Sequence, residues 1–376
     1  MLNHARALRA RGWAVTLAGY GPNPPPPDLA ADPAVRVVAL DAGGARLARG
    51  LCRLAALVWR GAWTAIVVQN PPGFPALAAI VLAGRGKTPL ILDWHNLGGT
   101  LLALRPPPRR HGAALYAWCE CRAARRADGH WAVSAALAGV TVGARAVVVH
   151  DRPSRIFRAA AARAGAEGAA DRLSWWRRVL PHTPPPAAPC WVVAPSSWGP
   201  DEDGAAMLRV AQAWRNDGAG WGAAPRVALV ATGIGPLQAD FARAAAALTG
   251  GPVEIRTAWV PAAEYPALLA RADAGLCLHC SSSGLDLPMK LADFRGAGRK
   301  ALVRDYGPVL QEVFRPGADG WTFRDDAELA AALRTLALKS PAERTAAAAA
   351  GDTWEEEWDR QLGGWALALE QGRISR

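Results

Sequence analysis

The sequence predicts an α/β protein of two domains, each a parallel sheet wrapped by crossover helices. Three observations carry that expectation. The chain has 376 residues with an apolar fraction of 51%, enough to bury two cores of ordinary domain size. Strand-like and helix-like stretches alternate along it, the pattern of parallel strands joined by crossovers. The run Pro181-His182-Thr183-Pro184-Pro185-Pro186-Ala187-Ala188-Pro189 has the composition of a stiff linker and divides the alternation into two series.

The first series opens with helical spacing at Ala5, Leu8 and Ala10, ended by Gly12. Strands are expected at 13–19 and 35–40, a helix at 46–60, a buried strand at 65–69, a helix at 75–82 and a strand at 89–93. A long helix over 111–126 precedes strand-like segments at 129–134 and 146–150. The second series begins with a strand at 190–194 and a helix from Pro200. Strands at 227–232, 253–257, 274–279 and 300–303 then alternate with helices at 236–248, 262–271, 288–295 and 307–314. The expected domains are 1–180 and 190–350, joined by the linker 181–189, with a helical tail over 351–376 that crosses back to the first domain. Two Rossmann-like domains in tandem place a ligand cleft between the C-terminal ends of their strands. Such a domain normally opens with a strand and a Gly-rich turn. This one opens with a helix, so its first strand is expected to be missing from the chain.

Net charge is +11 overall, but the two halves differ. Residues 1–187 hold 24 Lys and Arg against 9 Asp and Glu, whereas residues 188–376 hold 19 against 23. The first half therefore suits an anionic partner. Scattered arginines without interleaved aromatics argue against nucleic acid. No stretch reaches the ~18–20 apolar residues of a membrane span, and Asn3, His4, Arg6, Arg9 and Arg11 interrupt any signal-peptide core. Six cysteines are too sparse for a disulfide framework, which fits a reducing compartment. Cys119-x-Cys121 and Cys277-x-x-Cys280 could be combined into a zinc site, but Cys277 and Cys280 follow a strand-like run and read more readily as small buried residues.

The segment from Cys280 to Asp293 (Cys-Ser-Ser-Ser-Gly-Leu-Asp-Leu-Pro-Met-Lys-Leu-Ala-Asp) carries the most chemistry. Small hydroxyl residues and a glycine leave a strand and enter a helix opened by Pro288. Free backbone N–H groups and the positive helix end suit an anion there. Lys290 adds a cation, and Asp293 lies three residues on, placed to accept from ribose hydroxyls. A diphosphate joined to a sugar fits this set, and so does an ordinary capped helix with a solvated Lys–Asp pair.

Pro288-x-Lys290-x-x-Asp293 resembles the nucleotide-sugar helix of GT-B glycosyltransferases, where the acid is usually Glu. Three further segments precede it in order: Gln69-Asn70-Pro71-Pro72-Gly73, Asp93-Trp94-His95-Asn96, and Ser196-Ser197-Trp198-Gly199-Pro200-Asp201-Glu202-Asp203. Together they resemble the chitobiosyldiphosphodolichol β-mannosyltransferase family over nearly the whole chain. The resemblance implies an inverting transfer of mannose from GDP-mannose to dolichyl-diphosphate chitobiose, on the cytosolic face of the endoplasmic reticulum membrane. It implies no cofactor, leaves a divalent metal open without calling for one, and implies other transferases of the same route as partners. A single displacement needs a base beside the acceptor hydroxyl, and His95 or Asp93 is the candidate. The bland reading makes Asp93 and Asn96 caps of the following loop, and Glu120 a solvated or salt-bridged face.

Ser282, Ser283 and Gly284 would hold the diphosphate, Lys290 would assist, Asp293 would hold ribose, and Glu312 would add a ribose or mannose contact. Arg152, in His150-Asp151-Arg152-Pro153, and Asn96 are the acceptor and diphosphate candidates. Asp201 and Asp203 form an Asp-x-Asp pair, read as helix-start carboxylates rather than metal ligands. There are departures from the family pattern. The chain begins just beyond the loop that follows the family's anchor and first strand, Ile234 stands where Lys is usual, and Lys300 stands where Pro is expected. The alternative to an enzyme is a shortened, non-catalytic relative that binds nucleotide or a partner transferase. The basic pairs Arg109-Arg110, Arg125-Arg126 and Arg177-Arg178 are candidates for meeting an anionic membrane surface.

Overall fold

Short apolar segments form twelve strands among the described residues, and every ladder between them is parallel. The computed structural model describes residues 1–371 apart from 21–24, 41–43, 72, 85–87, 106, 108, 142–145, 181–189, 217–225, 249–251 and 346–350. The chain divides into two compact units, Met1–His150 with Trp354–Arg376, and Asp151–Thr353. Among the described residues no helix is long and apolar enough to cross a membrane.

Unit 1 contains β1 (Val15–Tyr20), β2 (Val35–Leu40), β3 (Ile66–Asn70), β4 (Leu90–Trp94), β5 (Gly129–Ala132) and β6 (Ala146–Val148). They form two separate ladders, β1–β2 and β3-β4-β5-β6. Between β1 and β3 lies a cavity of about 630 Å³, lined by Leu17, Val38, Leu54, Ile66, Val68 and Ile80 among others. The C-terminal helix, Trp354–Glu370, belongs to this unit. Its Trp354, Trp358, Leu362 and Ala366 recur every fourth position, one stripe of an amphipathic helix. That stripe packs on Ile91 and Trp131 of the four-stranded sheet and on Val149 just beyond β6.

Unit 2 contains β7 (Cys190–Pro195), β8 (Val227–Thr232), β9 (Val253–Ala258), β10 (Ala274–Cys277), β11 (Ala301–Arg304) and β12 (Gly320–Phe323). Their order is β12-β11-β10-β7-β8-β9, with the crossover reversing beside β7. Alternate residues enter opposite cores: Val192, Val227 and Leu229 face one, and Trp191, Val193, Ala228 and Val230 face the other. A sheet buried on both faces needs such near-continuous apolar strands.

The division of the chain differs from the expected one. Residues 151–180 belong to unit 2, not to the first domain, because their helices cover its sheet. Phe157 of helix Arg155–Gly165 enters a unit 2 core. Trp176 of helix Ala169–Val179 is wholly buried and stacks on Trp191 at 4.4 Å. Arg172 pairs at 3.1 Å with Asp273, whose other oxygen accepts from the Trp191 amide. Gly296 lies so close to Pro153 and Phe157 that a Cβ there would overlap both. The expected linker, 181–189, lies outside the described residues. Several elements also differ locally. The stretch expected as a helix over 307–314 is a 3-10 turn, Pro308–Glu312, and helix Ala205–Asn216 begins well after Pro200. Strand β12 and the helix Asp326–Leu338, with its Asp325 cap, were not anticipated.

Candidate active site

In unit 1 the strand β4 delivers Asp93 to the sheet's C-terminal end, and the chain turns immediately after Trp94. The backbone N–H of His95 donates to Asn70 O at 2.8 Å, which fixes that turn against β3. His95 Nε2 lies 2.9 Å from Asp93 Oδ2. A second histidine, His4 of helix Leu2–Ala10, brings its Nε2 to 3.2 Å from the same oxygen. Asp93 and His4 are buried, while the His95 side chain keeps 19% of its surface exposed. Burial opposes charge on Asp93, but attraction to His95 and hydrogen bonds from His4 and His95 prevail. They hold its carboxyl far below the usual carboxylate range. Asp93 is thus held as a carboxylate between two imidazoles.

Two readings of the flanking residues need revision. Asn96 does cap its loop, with Oδ1 accepting from the Leu97 N–H at 2.7 Å, whereas Asp93 is engaged by His4 and His95. Glu120 is not a solvated face. It is 1% exposed, accepts from Asn70 Nδ2 at 3.0 Å and receives the Gly98 N–H, and burial raises its pKa. Gly98 and Gly99 let helix Gly98–Ala103 approach Glu120, Tyr116 and Ala117 closely, since a Cβ on either would collide there.

In unit 2 the loops after β7 and β8 meet backbone to backbone. Gly233 has φ +111°, and a Cβ there would lie 1.9 Å from Ser196 O, so glycine is required. Trp198 adopts φ 53° and donates from Nε1 to Gly233 O at 3.2 Å. A bulky residue in left-handed backbone stores strain of a kind concentrated at functional sites. Glu202 holds the first loop by accepting from Ser196 Oγ at 2.5 Å and the Ser197 N–H at 2.6 Å, and it forms an ion pair with Lys290.

The segment around Lys290 corrects the sequence expectation in two ways. Helix Lys290–Gly296 starts at Lys290, two residues after Pro288. The loop amides are not free for an anion. The Gly284 N–H donates to Ser281 Oγ at 2.7 Å and the Leu285 N–H to Ser283 Oγ at 3.2 Å, with Gly284 at φ +71°. Asp286 organises this loop, accepting from Ser281 Oγ and from Ser283 Oγ at 3.3 Å, with His279 Nε2 at 2.7 Å. Ser282 and Ser283 lie on its partly exposed rim. The solvated Lys–Asp pair is excluded as well, because Lys290 meets Glu202 and Asp293 accepts from Tyr265 Oη at 3.2 Å. Burial pulls the Lys290 ammonium down to about 8 and pushes the Asp293 carboxyl up to about 7, the nearby Asp151 charge adding to the latter.

The Asp-x-Asp pair does not converge. Asp203 accepts from Arg209 at 2.8 Å and Arg304 at 2.7 Å, whereas Asp201 lies 3.7 Å from His279 Nδ1. Arg152 follows Asp151 beside the Lys290 helix, where its charge helps depress the Arg295 guanidinium after burial has done most of that work. Glu312 ends the 3-10 turn, partly buried. His4, Glu202, His279, Asp286 and Tyr265 are the site residues that sequence reasoning missed.

Two units of parallel αβ architecture, one bearing an Asp–His pair and the other a serine loop with a half-buried Lys and Asp, define a GT-B glycosyltransferase. The fold matches solved structures of that kind. It aligns with Anabaena Alr3699/HepE, crystallised with UDP and glucose, at TM-score 0.66 and 15% identity, covering 98% of this chain and 94% of that one. It aligns with OtsA at TM-score 0.62 and 11% identity, covering 100% and 95%. Residues 1–150 match the Glycosyl transferase 4-like domain and residues 234–361 the Glycosyl transferase-like model. The chain belongs to the chitobiosyldiphosphodolichol beta-mannosyltransferase family. It is 32% identical to the Eremothecium gossypii member over 99% of this chain and 82% of that one, and 29% identical to the Mus musculus member over 91% and 79%. It is also 31% identical to the UDP-glycosyltransferase TURAN of Arabidopsis thaliana over 78% of this chain and 74% of that protein.

Proposed function

We propose that this glycosyltransferase moves mannose from GDP-mannose to dolichyl-diphosphate chitobiose with inversion, placing the first mannose of a lipid-linked glycan. The observation that carries the reading is the near full-length likeness to relatives named for that acceptor and that β-linkage. In this mechanism the acceptor hydroxyl attacks the anomeric carbon, the bond to GDP breaks, and the hydroxyl proton passes to His95. Asp93, ionised and bonded to His95, stabilises the imidazolium that results. On unit 2, Lys290 and the hydroxyls of Ser282 and Ser283 receive the diphosphate, and Asp293 receives ribose. Glu312 adds a sugar contact, and Arg152 and Asn96 serve the acceptor side. The loop amides of Gly284 and Leu285 contribute only after their serine partners turn away.

The reaction needs no metal in this scheme, because Asp203 is held by two guanidinium groups instead of facing a common point with Asp201. The working location is the cytosolic face of the endoplasmic reticulum membrane, beside other transferases of the same route, with basic residues of the first unit toward the lipid. The test is transfer of radiolabel from GDP-mannose to phytanyl-diphosphate chitobiose by the full chain, with UDP-sugars and EDTA as parallel arms. A β-mannosyl product that persists in EDTA supports the reading. Transfer only from a UDP-sugar, or none beside an active relative, overturns it.

A further inference from the structure

Asp93 accepts from two imidazoles, yet its single charge can serve only one imidazolium well. Its neighbours decide which. His4 Nδ1 lies 3.1 Å from Trp358 Nε1 on the C-terminal helix. An indole N–H can only donate, so Nδ1 carries a lone pair and the His4 proton sits on Nε2, directed at Asp93 at 3.2 Å. While the Trp358 bond stands, His4 is neutral. Its surroundings agree, for the ring is 4% exposed, stacked on Trp131 at 5.1 Å and met edge-on by Trp354 at 5.1 Å. The Arg11 guanidinium lies 5.1 Å over the Trp358 ring, a further cation against any charge on His4.

We propose that Trp358 pins His4 as a neutral Nε2–H donor and so reserves the Asp93 charge for His95, making Trp358 and His4 positioning residues for proton transfer. This rests on His95 being the base. The other charged or titratable groups around Asp93 are already engaged. The Met1 ammonium donates to Gln69 Oε1 at 3.4 Å on β3, opposite Asp93. His130 of β5 accepts from Trp94 Nε1 at 3.1 Å, Glu120 is held by Asn70 and Gly98, and Glu357, next to Trp358, pairs with Arg360. Among the described residues, His4 and His95 are the groups that act on the Asp93 charge, so the competition lies between them.

The experiment compares the full chain with Trp358→Phe, His4→Gln and the double variant. It reads the acid limb of kcat/KM for radiolabel transfer and the ring protonation of both histidines by nitrogen-15 NMR. Trp358→Phe frees His4 Nδ1, so His4 gains a titration and takes part of the Asp93 charge. The His95 limb then moves about one pH unit lower, the usual effect of weakening one close ionic partner. His4→Gln keeps a neutral donor on Asp93 and leaves the limb in place, and Trp358→Phe added to it changes nothing further. An unmoved limb in Trp358→Phe, a shift that survives in the double variant, or a wild-type His4 that titrates between pH 5 and 8 overturns the proposal. Full activity of His95→Gln overturns the reading of the base instead. In that case the NMR arm still decides the state of His4, so the two failures are distinguishable.

Discussion

Replacing Asp293 by Asn separates what this carboxyl costs the fold from what it contributes to the donor. Burial raises its pKa from 3.8 to about 7, with Asp151 adding to the effect and Tyr265 opposing it. Between those two values the folded protein binds more protons at this site than the unfolded chain does. Stability therefore falls as pH rises through the window and levels off above 7. Each unit of pH is worth about 1.4 kcal/mol, so from pH 5 to pH 7 wild type loses roughly 3 kcal/mol that Asp293→Asn keeps. The Asn oxygen still accepts from Tyr265, so packing is preserved. The variant should thus be more stable than wild type at pH 8, by a margin about 3 kcal/mol larger than at pH 5. Urea unfolding at both pH values, followed by hydrogen exchange at the β7 and β10 amides, isolates the unit 2 transition. The same substitution should raise KM for GDP-mannose on the order of tenfold and change kcat little, the expected loss of one charged hydrogen bond to ribose. Equal margins at pH 5 and pH 8 would refute the argument that burial holds this carboxyl high.

The Lys290 ammonium loses its proton near pH 8, so the wild-type KM for GDP-mannose should climb above that pH, and Lys290→Met should start high and stay flat. Steady-state kinetics from pH 7 to 9.5 checks this. Trp176 is wholly buried on Trp191 and its Nε1 has no hydrogen-bond partner. Trp176→Ala should cost unit 2 about 3–5 kcal/mol, whereas Trp176→Phe keeps an aromatic ring, removes the unpaired donor and should cost less than half as much. Urea midpoints measure both. Reversing the charge of Arg109 and Arg110 should weaken binding to phosphatidylserine vesicles severalfold and leave GDP affinity unchanged. Equal binding by wild type and variant would reduce the charge asymmetry to composition.

Strands with strong apolar runs were legible in the sequence. Val35–Leu40 and Val227–Thr232 fall where the pattern places them. Val227–Thr232 is buried on both sheet faces, which leaves a continuous apolar signal, whereas Val35–Leu40 is largely exposed and is marked by its valines. The unit boundary was not legible. The proline run at 181–189 draws the eye, yet the division falls at His150–Asp151, where composition does not change. Helices 155–165 and 169–179 are rich in Arg and Ala, and Phe157, Ala160 and Trp176 among their few buried residues reveal that they cover a sheet. The motifs located the right loops but not their wiring. Lys290 and Glu202 stand far apart in the chain, as do His4 and Asp93, and no spacing rule joins such partners. Glu120 looked solvated because its helix has little apolar contrast; Gly98 and Asn70, from other elements, bury it.

Unit 1 is closed by the helix Trp354–Glu370, and this has a consequence for synthesis. Trp358 and His4 are 354 positions apart, and a ribosome moving at about 5–20 residues per second needs roughly 20–70 s to make the second after the first. All of unit 2 emerges in that interval and has its own sheet and cores on which to fold. Unit 1 must wait, with Trp131 and Ile91 lacking the stripe that covers them. Such long-range closure is slow by topology. It also means that a chain halted anywhere before Trp358 carries Asp93 and His95 without the hydrogen bond from Trp358 to His4. Completion of the pocket around Asp93 is thereby tied to translation as far as Trp358, and a product ended before it is left with an exposed tryptophan surface of the kind that chaperones and proteases recognise.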